Sequence, residues 1–364
     1  MFARYVTVCI IPLAGLGLLG ACSSDPEAPS GAASSGSSSS TTGGGGSEGG
    51  STGASGSTGT GGDSGHLDVP RGPSMACGAA APGEDTSEKF IKHDIEVTGV
   101  DPEFIAAHPP QPSLAPYTWT HRNYFVRLPA NYDPSKAYPV SMGGGGCGGD
   151  ALSGNNGGLT ALPNGQDEAI QIGLSYVYSG GACFEDDYVN TPDLPYFDAV
   201  LKEVEAHYCV DTGRIFVDGF SSGAWETFML GCARAGVIRG IGTAAGGLRV
   251  VRPACSELPV AAMMVAGIHD TTNPIGPLTT PVDNGYGSAA ARDDILKRNG
   301  CVGSDNTPWD KDYPDCVKYT GCPAAYPVVW CAIDDGHTSG HPQGGPDYSG
   351  QGFWKFWSAL PPAP

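Results

Sequence analysis

Apolar residues in this chain gather in short runs bounded by glycine, proline and polar residues. Residues 124–128, 138–142, 174–178, 215–217, 241–245, 260–267 and 327–333 are each of strand length. A short apolar run between turn signals reads as a buried strand. Between these runs the spacing changes. Leu194, Phe197, Val200, Leu201 and Val204 recur at i, i+3, i+6, i+7 and i+10, the stripe of an amphipathic helix. Ala224, Trp225, Phe228, Met229 and Cys232 repeat the pattern. Residues 288–299 predict another helix with Gly300 as its C-cap, and 353–360 predict a closing one. The stretch up to Pro116 reads as loop. Strand–helix alternation from residue 124 onward implies an α/β fold, a mostly parallel sheet with helices on both faces. No internal repeat is visible.

The first 73 residues lie outside this pattern. Arg4 precedes an apolar stretch, residues 6–19, that is short for a membrane span and ends in Leu19-Gly20-Ala21-Cys22. This resembles a bacterial lipoprotein signal, with residues 1–21 removed and Cys22 lipidated. Ordinary secretion with cleavage after Ala21 is the alternative. Ser23 next to the cysteine points to the outer membrane in a Gram-negative source, and a lipid anchor would be the only membrane contact. Residues 22–73 are Ser/Gly/Thr-rich and cannot bury enough surface to fold. As a flexible tether about 50 residues long they reach ~35–42 Å. Gly62-Asp63-Ser64-Gly65 imitates a serine-protease motif but has no strand beside it. Residues 74–364 remain for one sizeable domain.

Net charge is −19. Arg4 and Arg71 against Asp25, Glu27, Glu48, Asp63 and Asp68 account for −3, so the domain carries about −16. That argues against nucleic acid or anionic lipid headgroups as partners. Of 12 cysteines, Cys9 leaves with the signal and Cys22 takes the lipid, leaving ten. An even number in an exported chain implies disulfides rather than zinc. Spacing does not determine the pairing. Cys316 with Cys322 and Cys232 with Cys255 are the expected pairs.

The chemistry centres on Gly219-Phe220-Ser221-Ser222-Gly223, between the run at 215–217 and a helix. Strand, G-x-S-x-G and helix make the context of a nucleophile elbow, with Ser221 at the apex and Ser222 supplying an oxyanion N–H. Ser222 is a weaker nucleophile candidate, lacking glycines two residues either side. A serine hydroxyl needs an imidazole to take its proton, and the imidazole needs a carboxylate. Asp270 follows one predicted strand and His337 the last, in the order Ser…Asp…His. Both would emerge at the sheet edge that carries Ser221. Asp334, Asp335 and His341 are rivals. His337 with His341 as a metal pair is opposed by Gly340 and Pro342, which disfavour the helix it requires. Asp293 and Asp294 read as solvent-facing, His207 as a helix-end charge, and His269 as pointing away from the site. The run Gly143 to Gly149 lacks the Lys-Ser/Thr of a phosphate loop. Bare backbone after an early strand instead suits a loop that supplies the second oxyanion donor, or a plain flexible loop.

Taken together, Leu128-Pro129-Ala130-Asn131-Tyr132-Asp133-Pro134, Gly146-Cys147-Gly148-Gly149, the serine motif, the Asp270 loop, Arg298-Asn299-Gly300-Cys301 and Gly336-His337-Thr338 resemble the feruloyl esterase and poly(3-hydroxybutyrate) depolymerase-like carbohydrate esterases. The likeness covers roughly residues 120–360. It implies an α/β-hydrolase fold, nucleophile Ser221, acid Asp270, base His337 and an oxyanion loop at Gly146 and Cys147. It implies no cofactor or metal. Gly145 stands where the family commonly has histidine, and Ser339, Gly340 and His341 intervene where Trp-Pro-Gly often follows. The expected function is an extracytoplasmic serine esterase acting on feruloyl or acetyl esters of xylan, as a monomer. A polyester depolymerase and a non-catalytic surface-binding lipoprotein are the alternatives. Trp225, Tyr188 and Tyr286 are candidates for contact with a ferulate ring or sugar, or for the core.

Overall fold

The computed structural model describes residues 71–110, 115–148, 168–177, 183–184, 191–248, 256, 258–276, 287–340, 342 and 344–361. All fall within one compact unit, Thr60–Pro364. Ten strands form a single sheet: β1 (Ile91–Glu96), β2 (His121–Arg127), β3 (Tyr138–Gly144), β4 (Ile170–Leu174), β5 (Val210–Phe220), β6 (Gly240–Ala244), β7 (Ala261–Gly267), β8 (Asn306–Asp310), β9 (Tyr313–Tyr319) and β10 (Val328–Ile333). Their spatial order is β1-β2-β4-β3-β5-β6-β7-β10-β9-β8. The six strands from β4 to β10 run parallel. Antiparallel pairs close the two edges. Order and polarity are those of an α/β-hydrolase sheet carrying an added hairpin.

The parallel strands are covered on both faces, so their side chains divide by parity between two cores. Ile215 and Val217 of β5, Ala262 and Met264 of β7, and Val328 and Trp330 of β10 enter one core. There they meet α2 (Asp193–His207), α3 (Ser222–Ala233) and α4 (Gly287–Arg298). Phe216, Phe220, Met263, Val265, Val329 and Cys331 enter the other core, against α5 (Phe353–Ser358). Trp357 of α5 stacks on Phe216 with ring centroids 4.9 Å apart. The second face also carries buried polar groups. Ser141 donates to Asp218 at 3.1 Å, and neither side-chain polar atom of Gln171 has a partner.

Several expectations need correction. The strand expected at 174–178 is β4, which ends at Leu174. Gln171 and Gly173 interrupt its apolar pattern, although all five residues are buried. The opening stretch read as loop contains β1 and the short helix α1 (Pro102–Ala107). β1 is an edge strand whose exposed positions are charged, so it offers no apolar run. The β8–β9 hairpin also went unpredicted, because its exposed positions are polar, charged or proline and leave no apolar run. Cys316 does not pair with Cys322. It faces Cys331 across the β9–β10 ladder and bonds to it, while Cys322 bonds to Cys301 beyond α4. The other described bonds are Cys77–Cys209 and Cys147–Cys183. Cys232 is also disulfide-bonded, and Cys255 lies outside the described residues. Asp294 does not face solvent. Its side chain is 10 % exposed and pairs with Arg298 one turn on.

Candidate active site

β5 runs out at Phe220 and α3 begins at Ser222, so one residue makes the turn. Ser221 adopts φ 55° and ψ −115°, a strained region for any residue with a side chain, costing ~1–3 kcal/mol. Its neighbours over-determine it. Ser221 donates its N–H to Ala244 O at 3.0 Å, and its carbonyl accepts from Ala224 and Trp225 at 3.0 and 3.1 Å. The two glycines of the motif permit the close packing this requires. A Cβ at Gly219 would lie 2.1 Å from Gly223 O, and one at Gly223 would lie 2.0 Å from Gly144 O.

The ends of β7 and β10 are fastened together past the sheet. Ile268 donates to Ile333 O at 2.9 Å and His269 to Asp335 O at 3.0 Å. This brings the loop after β7 beside the loop after β10. Asp270 Oδ1 accepts the N–H groups of Thr272 and Asn273 at 2.8 and 2.7 Å. Its Oδ2 lies 2.9 Å from His337 Nδ1, and His337 Nε2 lies 2.9 Å from Ser221 Oγ. A carboxylate only accepts, so Nδ1 carries the imidazole proton and Nε2 accepts from the serine hydroxyl. The Asp270 side chain is fully buried and that of His337 is 26 % exposed. The three side chains thus form one hydrogen-bonded line, buried at the acid end and open at the base.

The glycine-rich loop after β3 sits directly against this line. Gly145 O accepts from the Gly223 N–H at 3.1 Å and from the Ser222 hydroxyl at 3.3 Å. A Cβ at Gly146 would stand 3.1 Å from Ser221 Cβ and from the Phe220 ring. Cys147 is bonded to Cys183. The Ser222 N–H, at the start of α3, lies next to Ser221, where the helix dipole favours negative charge. The backbone at Gly145, where a histidine is common in the family resemblance, is thus tied to α3 by its own carbonyl.

Of the rivals, the two acids have partners of their own. Asp334 pairs with His269 at 2.9 Å, both side chains exposed. Asp335 accepts the Gly336 N–H at 2.7 Å. His207 pairs with Glu203 at the end of α2. His341, Tyr188 and Tyr286 lie outside the described residues, as does Cys22. Trp225 is buried, and its Nε1 donates to Asn273 Oδ1 at 2.7 Å. Asn273 went unremarked in the sequence; an asparagine three residues after an acid carries no distinctive signal. It ties the Asp270 loop to the helix that follows Ser221. Among the described residues no group of three or more His, Cys, Asp or Glu could hold a metal ion, and no helix is long and apolar enough to cross a membrane.

Comparison with known proteins adds to this geometry. No protein-family model matches the chain. Feruloyl esterase C of Emericella nidulans is 29% identical over 249 residues, 65% of this chain and 84% of that protein. A probable feruloyl esterase C of Aspergillus terreus is 30% identical over 249 residues, with the same coverage. Among solved structures, the acetyl xylan esterase from Aspergillus awamori superposes with TM-score 0.47 at 14% identity, covering 72% of this chain and 99% of that one. A CE1 ferulic acid esterase from Anaeromyces mucronatus gives 0.42 at 17% identity, covering 75% and 90%.

Proposed function

This chain belongs to the feruloyl esterase family of serine carboxylic ester hydrolases, and from that premise we propose that it cleaves feruloyl or acetyl esters of plant polysaccharide, with Ser221 as nucleophile, His337 as general base and Asp270 as the carboxylate that orients it. The observation that carries the residue roles is the hydrogen-bonded line from Asp270 through His337 to Ser221 at the strained turn.

In this mechanism the Ser221 oxygen attacks the ester carbonyl while its proton passes to His337 Nε2. Asp270 stabilises the resulting imidazolium without taking its proton. The tetrahedral oxyanion lies within reach of the Ser222 N–H and the backbone at Gly146 and Cys147, donors that need no reorganisation as charge develops. Collapse breaks the bond to the sugar oxygen, which leaves with the proton from His337. Water, deprotonated by the same imidazole, then releases the acid from Ser221.

The proposal extends to place. Residues 1–21 would be removed, Cys22 would carry lipid, and residues 23–73 would let a monomeric domain work on a polymer outside the cell. Nine described cysteines in disulfides suit an oxidising compartment.

The test is labelling of the purified protein with a fluorophosphonate, followed by peptide mapping. An adduct on Ser221 that disappears in His337→Ala is the expected result. Absence of adduct in fully oxidised protein overturns the esterase mechanism and favours a binding role. A panel of methyl ferulate, acetylated xylan and poly(3-hydroxybutyrate) then separates the polysaccharide reading from the polyester one.

A further inference from the structure

A cavity of about 730 Å³ opens on the sheet edge opposite Ser221. Arg71, Lys136, Arg214 and Arg239 line it together with Trp354 and Trp357 of α5. Lys136 precedes β3, Arg214 lies in the first half of β5 and Arg239 immediately precedes β6, so these groups gather where the parallel strands begin. The candidate triad follows the ends of β5, β7 and β10. Along β5 alone, Arg214 and Ser221 are separated by roughly 23 Å of extended chain.

Two features set the cavity apart. The first is charge. A chain of net −19 with 19 Lys and Arg places four of those cations around one cavity. Of the two acids in the lining, Asp211 is bound to Arg214 at 2.6 Å and Glu168 accepts the Trp354 Nε1–H at 3.2 Å. The second is hydrogen bonding. Arg239 is 2 % exposed and donates Nη2–H to Pro361 O at 2.8 Å, but its Nε and Nη1 have no partner. Trp357 Nε1, equally buried, also has none. All the orphaned side-chain atoms in this wall are donors. Buried guanidinium N–H groups without an acceptor are strongly disfavoured, and a partner that satisfied them would be anionic and acceptor-rich. The aromatic walls favour a partner with a ring-shaped or apolar body.

We propose that this cavity binds an organic carboxylate, with its charge met by Arg71, Arg214 and Arg239 and its body against the Trp354 and Trp357 side. Two sources share that chemistry: a uronate group on an acidic polysaccharide, and the aromatic acid released by ester hydrolysis. Both rest on the polysaccharide-ester reading above. In either case the site is separate from the one that breaks the bond. A uronate would hold the polymer at a second point, and an aromatic acid would report product.

The experiment is titration calorimetry on the full-length Ser221→Ala protein, which cannot turn substrate over. The probes are a xylo-oligosaccharide bearing glucuronate, the same oligosaccharide without it, and ferulate. Binding of a carboxylate probe, weakened at least 10-fold in an added Arg71→Ala/Arg214→Ala background and by raised salt, is the expected result. Preference for the uronate or for ferulate identifies the source. Arg239→Gln, checked for an intact thermal transition, should weaken the same probe. No binding by either carboxylate, or binding unchanged in the double variant, overturns the proposal. Absence of ester turnover by the parent protein would instead overturn the esterase reading and leave this titration interpretable.

Discussion

Ser221 is the point where backbone strain and side-chain chemistry coincide. Its φ of 55° is held by hydrogen bonds on both sides of the residue. Ser221→Ala keeps that turn and removes the proposed nucleophile, so turnover of a p-nitrophenyl ester should fall to the uncatalysed background while the thermal transition is retained. Asp270→Asn should lower kcat on the order of 10⁴-fold with KM little changed, because the amide would favour the wrong imidazole tautomer. Stopped-flow or single-turnover kinetics separates those two constants. Three residues before Ser221, Asp218 is wholly buried, and desolvation holds its carboxyl well above the ordinary range despite the Ser141 hydrogen bond. Between the ordinary value and that raised value the unfolded chain has lost a proton that the folded chain keeps. Stability contributed by Asp218 is therefore complete below the ordinary carboxylate pKa and is lost as pH rises through that window. In Asp218→Asn the linked proton is gone. Its melting temperature should gain on that of the parent as pH rises above the ordinary carboxylate value, measured by calorimetry across a pH series.

At the scale of elements, the central strands were legible because burial on both faces leaves nearly unbroken apolar runs, as at β7 and β10. The convergence of Ser221, Asp270 and His337 on one sheet edge followed from the same runs, since each residue comes just after one. The edges were not legible. In β1, Lys92, Asp94 and Glu96 face outward, and no run marks the strand. In β4, Gln171 is buried without a side-chain partner, which a polarity pattern cannot anticipate. The bond from Trp225 to Asn273 joins two elements 48 residues apart and has no local signature. Packing at the serine turn gives a sharp test. In Gly223→Ala the new methyl would collide with Gly144 O, so a loss of roughly 1–3 kcal/mol is expected in denaturant titration, with activity lost alongside. The oxyanion loop gives another. Cys147→Ser with Cys183→Ser frees the loop after β3 from its tie. Its kcat should drop by up to about 100-fold, the lower end of the cost of losing one oxyanion donor, while fluorophosphonate still labels Ser221 slowly.

For the molecule as a whole, charge and attachment act at distances beyond any one site. A chain of net −19 is repelled by anionic headgroups, so membrane association rests on the proposed lipid at Cys22. Cys22→Ser should move the protein from the membrane fraction to the soluble one, with hydrolysis of a small soluble ester unchanged and hydrolysis of insoluble polymer by whole cells reduced. The cross-links have a consequence for biogenesis. Cys77 pairs with Cys209 across 132 residues, passing over Cys147 and Cys183, which pair with each other. Near the C-terminus, Cys301–Cys322 and Cys316–Cys331 interleave. A chain threaded N-terminus first through a translocon, and oxidised in order of emergence, would join Cys77 to Cys147 and Cys301 to Cys316. The first of those mistakes must be reshuffled by thiolate attack before the Cys147–Cys183 tie can form, and the second before the two C-terminal bonds can. On that route a disulfide isomerase is needed as well as an oxidant, and a production strain lacking one should accumulate full-length, cross-linked, inactive protein, seen as mismatched pairs in non-reducing peptide maps.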